Sequence, residues 1–179
     1  MPPGPQTDLQ ANSRRLQALR RGLLASLAFN TAALSAPGEK APPVGKPLEI
    51  KFTSVDGRAV DLAELKGKVV LVDFWATWCG PCVGEIPHVK EAYEKLHPKG
   101  FEIVGISFDK DKAKLESFVK DKGMTWPQYF DGKMWDNDYG KKYGIQGIPA
   151  MWLVDKKGNL RDPNGRQDLA GKVEKLLAE

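Results

Sequence analysis

Lys68-Val-Val-Leu-Val-Asp-Phe-Trp-Ala-Thr-Trp-Cys-Gly-Pro-Cys82 changes its hydrophobic rhythm partway along. From Lys68 to Trp75 it is nearly all apolar and rich in β-branched and aromatic side chains. That composition predicts a central strand covered on both faces. From Cys82 onward the apolar positions fall at Val83, Ile86, Val89, Tyr93 and Leu96, which is helical spacing. Pro87 lies inside this helix and is expected to kink it. The two cysteines, the only ones in the chain, therefore sit where a strand ends and a helix begins.

That position has chemical consequences. A helix N-terminus carries unpaired N–H groups and a partial positive charge, and both favour a thiolate over a thiol. Cys79 is thus expected to be the nucleophile, with Cys82 one turn further in and more shielded. Two cysteines on one helical turn can close a disulfide without backbone movement. Gly80-Pro81 suits the turn, because Pro presets a helical φ where its missing N–H is no loss. Haem attachment would require His directly after the second Cys, where Val83 stands. Zinc would need two further ligands, and His88 and His97 are expected at the surface.

Outward from this junction, Leu48-Glu-Ile-Lys-Phe52 alternates like a strand, turns at Val55 to Arg58 and returns through Val60-Asp-Leu62. Asp61 is placed to cap a short helix through Leu65. Phe101 to Phe108 predicts a second buried strand, and Asp111 to Lys122 a helix with Leu115, Phe118 and Val119 inward. Trp126 to Phe130 is a short extended segment, and Asn137 caps a short helix through Tyr143. Ala150 to Asp155 is a strand, Lys156 to Gly158 turns into a partner at Asn159 to Arg161, and a helix over Asp168 to Leu177 closes the chain. Trp126, Tyr129 and Trp135 are expected to pack rather than to form a ligand box. This order predicts an α/β fold, a mixed sheet flanked by helices with an N-terminal β-hairpin in front of it.

Residues 1–46 differ in composition. Arg14, Arg15, Arg20 and Arg21 precede the apolar run Leu23 to Phe29, and small residues follow. Basic, apolar, small is the order of a secretory signal peptide, so export is expected; an amphipathic leader or the remnant of an upstream domain is the alternative. The apolar run is too short to span a bilayer. A Pro- and Gly-rich linker leads to the domain, residues 47–179. The chain as a whole has 179 residues, is 41% hydrophobic and 28% charged, and carries a net charge of +4 spread over scattered lysines. Those values allow a packed core and give no nucleic-acid footprint.

The stretch Val72 to Cys82 resembles thioredoxin, and Gly147-Ile-Pro149 before the strand at Ala150 is the second mark of that superfamily. Within it the chain is most similar to the exported TlpA/ResA-like group, which includes the cytochrome c maturation thioredoxins. The N-terminal hairpin, Cys82-Val-Gly-Glu85-Ile-Pro87 and the insertion between the cysteines and Pro149 carry this similarity. The resemblance implies a thioredoxin fold and a thiol–disulfide oxidoreductase that reduces protein disulfides, with no cofactor. It implies that Ile148–Pro149 is cis and that the Ile148 backbone pairs with the substrate chain. Trp78, Gly80, Pro81, Ile148 and Pro149 would then form the substrate-contact surface.

The resemblance also implies roles for two acids. Asp73 falls where thioredoxins carry a buried Asp behind the second cysteine, where it would take the Cys82 proton. Many TlpA-like proteins have Asn there. Glu85 lies one turn after Cys82 on a similar helical face, where ResA-like proteins use an acid to tune the cysteines. Ala150 departs from the usual thioredoxin Thr. The expected partners are protein disulfides, apocytochrome c or other exported proteins among them, and a membrane thiol reductase as electron donor; a monomer is expected. A peroxiredoxin-like peroxidase, a disulfide oxidase or isomerase, and a docking domain are the competing functions. A peroxidase would want Thr three residues before its cysteine, where Ala76 stands, and a docking domain would need no thiols.

Overall fold

The computed structural model describes residues 42–179. The signal peptide expected from the N-terminal composition rests on residues 1–41, which lie outside those described. The described residues form seven strands and four α-helices in the order β1 Lys51–Thr53, β2 Ala59–Asp61, β3 Val69–Trp75, α1 Gly80–Leu96, β4 Phe101–Ser107, α2 Lys112–Asp121, β5 Gln128–Tyr129, α3 Asp138–Lys142, β6 Ala150–Val154, β7 Leu160–Asp162 and α4 Leu169–Ala178.

The continuous apolar run of β3 does what its composition demands. It is buried along its whole length and occupies the centre of a five-stranded sheet of order β5-β4-β3-β6-β7. Its parallel partner is β4, with Asp73 opposite Gly105, and its antiparallel partner is β6, with Asp73 opposite Met151. This is the mixed sheet of a thioredoxin-like fold. Separately, β1 and β2 form an antiparallel pair with Phe52 opposite Val60. The segment just before β1 runs along the β7 edge, where Leu160 N donates to Lys46 O at 2.9 Å and Leu48 N to Gly158 O at 3.1 Å. It covers main-chain groups that an edge strand would otherwise expose. The domain boundary expected at residue 47 falls inside this paired segment.

Alternation along β3 sorts the two faces of the sheet. Trp75 packs against Phe118 of α2 with ring centres 5.7 Å apart and planes tilted by 43°, and the end of α2 is tied to α1 by Lys90 Nζ donating to Lys122 O at 2.8 Å. Phe74 points the other way, onto Trp152, which meets Tyr143 at the end of α3. Asp73 shares the parity of Trp75 and so belongs to the face covered by α1.

Two expectations need correction. Asp61 caps a turn, with Ala63 N donating to its Oδ1 at 2.9 Å, but no helix follows. Gly67, at φ 92°, bends the chain toward Lys156 before one can form. In α2 only Leu115 is fully buried; Phe118 and Val119 are partly covered, because the helix lies at the margin of the core. The α1 helix runs unbroken through Pro87.

Gly105 explains how a polar residue is held in the core. The Gln128 side chain lies across it, accepting from Trp75 Nε1 at 2.9 Å. A Cβ at position 105 would sit 1.9 Å from Gln128 Oε1. Gly105→Ala must therefore displace the carboxamide and break the Trp75 bond. We expect a loss of about 1–3 kcal/mol in a urea titration of the oxidised protein.

Candidate redox site

The end of β3 delivers Cys79 to the N-cap of α1 in extended conformation, φ −87° and ψ 101°. Cys79 and Cys82 are joined in a disulfide, and Cys82 N donates to Cys79 Sγ at 3.2 Å. The sulfur of Cys79 thus receives one of the N–H groups that a helix N-terminus leaves unpaired. Pro81 occupies the first turn, as its fixed φ permits. Cys82 is not distinctly more buried than Cys79, since both are largely covered.

Facing the disulfide, the Ile148–Pro149 peptide is cis and leads into β6. Ile148 O lies 3.8 Å from Cys79 Sγ. A disulfide sulfur has no proton to give, so this is a contact and not a hydrogen bond. Gly80, Pro81 and Trp78 surround the pair on the helix side and are exposed, while Ile148 and Pro149 are half-buried on the other.

Asp73 is buried, and its Oδ1 has no hydrogen-bond partner. Burial, and secondarily the negative charge of Glu85, push its pKa from the ordinary 3.8 up to about 7. Glu85 itself is not a solvated helix residue. Its side chain is mostly covered, and Arg166 Nε donates to its Oε1 at 2.8 Å while Arg166 Nη2 lies 2.6 Å from the same oxygen. The sequence-based site residues therefore converge on one end of the sheet, with Asp73 and Glu85 electrostatically coupled.

Three residues of this region escape sequence reasoning. Asp109, almost fully buried, accepts from Thr77 Oγ1 at 2.6 Å, from Thr77 N at 3.1 Å and from Ser107 Oγ at 2.8 Å. It pins the loop between β3 and Cys79 to the end of β4. An acid directly after a buried strand is the signal that could have found it. Trp135 is half-exposed instead of packed away; it lies 6.0 Å from Trp78 and edge-on to Phe108 at 5.4 Å. Trp78 is fixed by its Nε1 donating to Phe108 O at 3.2 Å. Arg166 has no local signal at all. His88 and His97 are both exposed. Among the described residues no group of three or more His, Cys, Asp or Glu is placed to hold a metal, and no helix is long and apolar enough to cross a membrane.

A mixed sheet whose central strand presents a C-x-x-C disulfide at a helix N-terminus, opposite a cis-proline, defines a protein of the thioredoxin superfamily, and its relatives place it in the ResA-like group. The chain belongs to the Redoxin family, whose profile matches residues 36–176. It is 35% identical over 112 residues to the thiol-disulfide oxidoreductase ResA of Bacillus thuringiensis (strain Al Hakam), covering 60% of this chain and 61% of that protein. It is 30% identical over 140 residues to ResA of Geobacillus thermodenitrificans (strain NG80-2), covering 78% and 79%. The chain thus spans about three fifths of the Bacillus relative's length. The crystal structure of the thioredoxin domain of a thiol-disulfide oxidoreductase from Bacteroides vulgatus superposes with a TM-score of 0.68 at 32% identity, covering 76% of this chain and 99% of that one. A thiol:disulfide interchange protein of the thioredoxin family from Chlorobium tepidum TLS gives 0.61 at 29% identity, covering 79% and 98%.

Proposed function

We propose that the chain is a thiol–disulfide oxidoreductase that reduces protein disulfides. The observation that carries this reading is the Cys79–Cys82 disulfide capping α1 beside the Ile148 carbonyl. In the reduced form the helix N-terminus favours a thiolate at Cys79. That thiolate attacks one sulfur of the substrate disulfide, and the other substrate sulfur leaves as a thiolate that takes a proton. Cys82 then gives its proton to Asp73 and attacks Cys79 Sγ. The second substrate thiol is released and the Cys79–Cys82 disulfide remains, two electrons having passed to the substrate.

The neighbouring groups suit these steps. Asp73 is buried, unpartnered at Oδ1 and balanced near neutrality, as a group that accepts and returns a proton must be. The Ile148 backbone beside Cys79 suits an extended substrate strand, and Trp78, Gly80, Pro81 and Pro149 would border it. The basic–apolar–small order of the N-terminal sequence supports export. Substrates would then be exported protein disulfides, apocytochrome c among them. A membrane thiol reductase would return the electrons, because a dithiol in an oxidising compartment must be kept reduced.

The test is a redox titration of the full chain in dithiothreitol and glutathione buffers, with free thiols counted by alkylation and mass. We expect one two-electron transition below about −250 mV, the range of reducing thioredoxins. A midpoint near about −120 to −180 mV would overturn the reductive direction in favour of oxidation or isomerisation. Absence of any reversible transition would overturn thiol exchange itself.

A further inference from the structure

Arg166 lies on the connection between β7 and α4, far in sequence from the cysteines. Its loop is nonetheless firmly anchored. Gly165 N donates to Met151 O at 2.8 Å, and a Cβ on Gly165 would meet that oxygen and Leu153 Cγ at 3.1 Å. The loop is thus pressed onto β6, the strand that starts just after Pro149. Lys172 Nζ, donating to Asn164 O at 2.7 Å, holds the loop from α4. From this anchored position Arg166 directs both Nε and Nη2 at Oε1 of Glu85.

The charged and titratable groups around Asp73 are few. The strands beside it offer Gly105 and Met151, and the next strand offers neutral Gln128. From α1 come Cys82 and Glu85. From α4, Lys172 is committed to Asp162 and Glu174 to Lys95, while Lys175 is exposed. Asp109 is taken up by Thr77 and Ser107. Among the described residues, Glu85 is the charge that acts on Asp73, and Arg166 is what holds Glu85.

We propose that Arg166 is a positioning residue of the redox site, which holds and partly neutralises the Glu85 carboxylate and thereby sets the pH range over which Asp73 exchanges a proton with Cys82. The inference rests on the exchange role given to the cysteine pair and goes beyond it, because it assigns control of that pair to a residue on another element. Loss of Arg166 leaves the charge of Glu85 unopposed. An unopposed negative charge makes a second one at Asp73 harder to form.

The experiment follows the Asp73 carboxyl by carbon-detected NMR across pH in the oxidised full chain, which requires no turnover. It is paired with the pH profile of disulfide reduction. Arg166→Gln is expected to raise the Asp73 midpoint by about half a unit, a size suited to a partly exposed pair. Arg166→Lys should restore much of the shift. Glu85→Gln should lower the midpoint, and the double variant should match Glu85→Gln alone. An unmoved midpoint in Arg166→Gln, or an upward shift that persists in the Glu85→Gln background, would overturn the proposal. A midpoint that moves as expected in a chain that exchanges no disulfides would uphold the electrostatic link and overturn the exchange reading instead.

Discussion

Cys82→Ser should turn the chain from a turnover catalyst into a trap. Cys79 keeps its place at the N-cap of α1, so attack on a substrate disulfide proceeds. Serine cannot perform the second displacement, because its hydroxyl is a far weaker nucleophile and cannot form a disulfide. A mixed disulfide through Cys79 then accumulates, and turnover falls by about 1000-fold or more. Mass spectrometry of the alkylated adduct reads the first effect and insulin-type turbidity the second. The failure of every disulfide substrate to give an adduct on Cys79 would remove that residue as the attacking thiol. Cys79→Ser provides the contrast, since it should give neither adduct nor turnover.

Asp73→Asn should separate catalysis from stability in opposite directions. The carboxyl titrates near pH 7 in the folded chain against an ordinary 3.8, chiefly because burial disfavours its charge. Below the lower value both folded and unfolded chains hold the proton, and folding bears no penalty. Between the two the folded chain keeps a proton that the unfolded chain has released, so stability falls as pH rises. Above about 7 the whole penalty is present. Asn carries no charge and escapes it. We expect the variant to be more stable than the parent by about 2–4 kcal/mol above pH 7, or about 10 °C in melting temperature, with the advantage vanishing near pH 4. Reduction of disulfides should meanwhile slow by about 100-fold at neutral pH for want of a proton acceptor. Parallel melting curves at pH 4 and pH 8 check the first expectation. Equal stability differences at both would show that Asp73 is not held neutral by burial.

The trade expected at Asp73 is a local rule broken for chemistry. A carboxyl in the middle of an otherwise apolar strand contradicts the pattern around it, and the contradiction is legible in the residues from Val69 to Trp75 alone. The same holds for the cysteines. Their spacing, the Gly-Pro between them and their place at a change from strand to helix are all local facts. Local order also determines β3, β4, β6, α1 and the Asn137 cap of α3, whose side-chain oxygen accepts from Tyr139 N and Gly140 N at 3.0 Å. Where local order is weak it misleads. The turns after Asp61 carry the local pattern of a helix, and only the bend at Gly67 and its contact with Lys156 exclude one.

Sequence by itself determined the mixed α/β core and the identity of the redox pair, because both follow from hydrophobic period and from residues a few positions apart; the thioredoxin character of that core came from its resemblance to the superfamily. Tertiary structure alone decided the surroundings of that pair. Asp109 reaches Thr77 across 32 positions and Arg166 reaches Glu85 across 81. Trp135 meets Trp78 only because both pack around Phe108. Such contacts carry no period and no motif. They arise when strands far apart in the chain are set side by side, and that is settled only when the whole core closes.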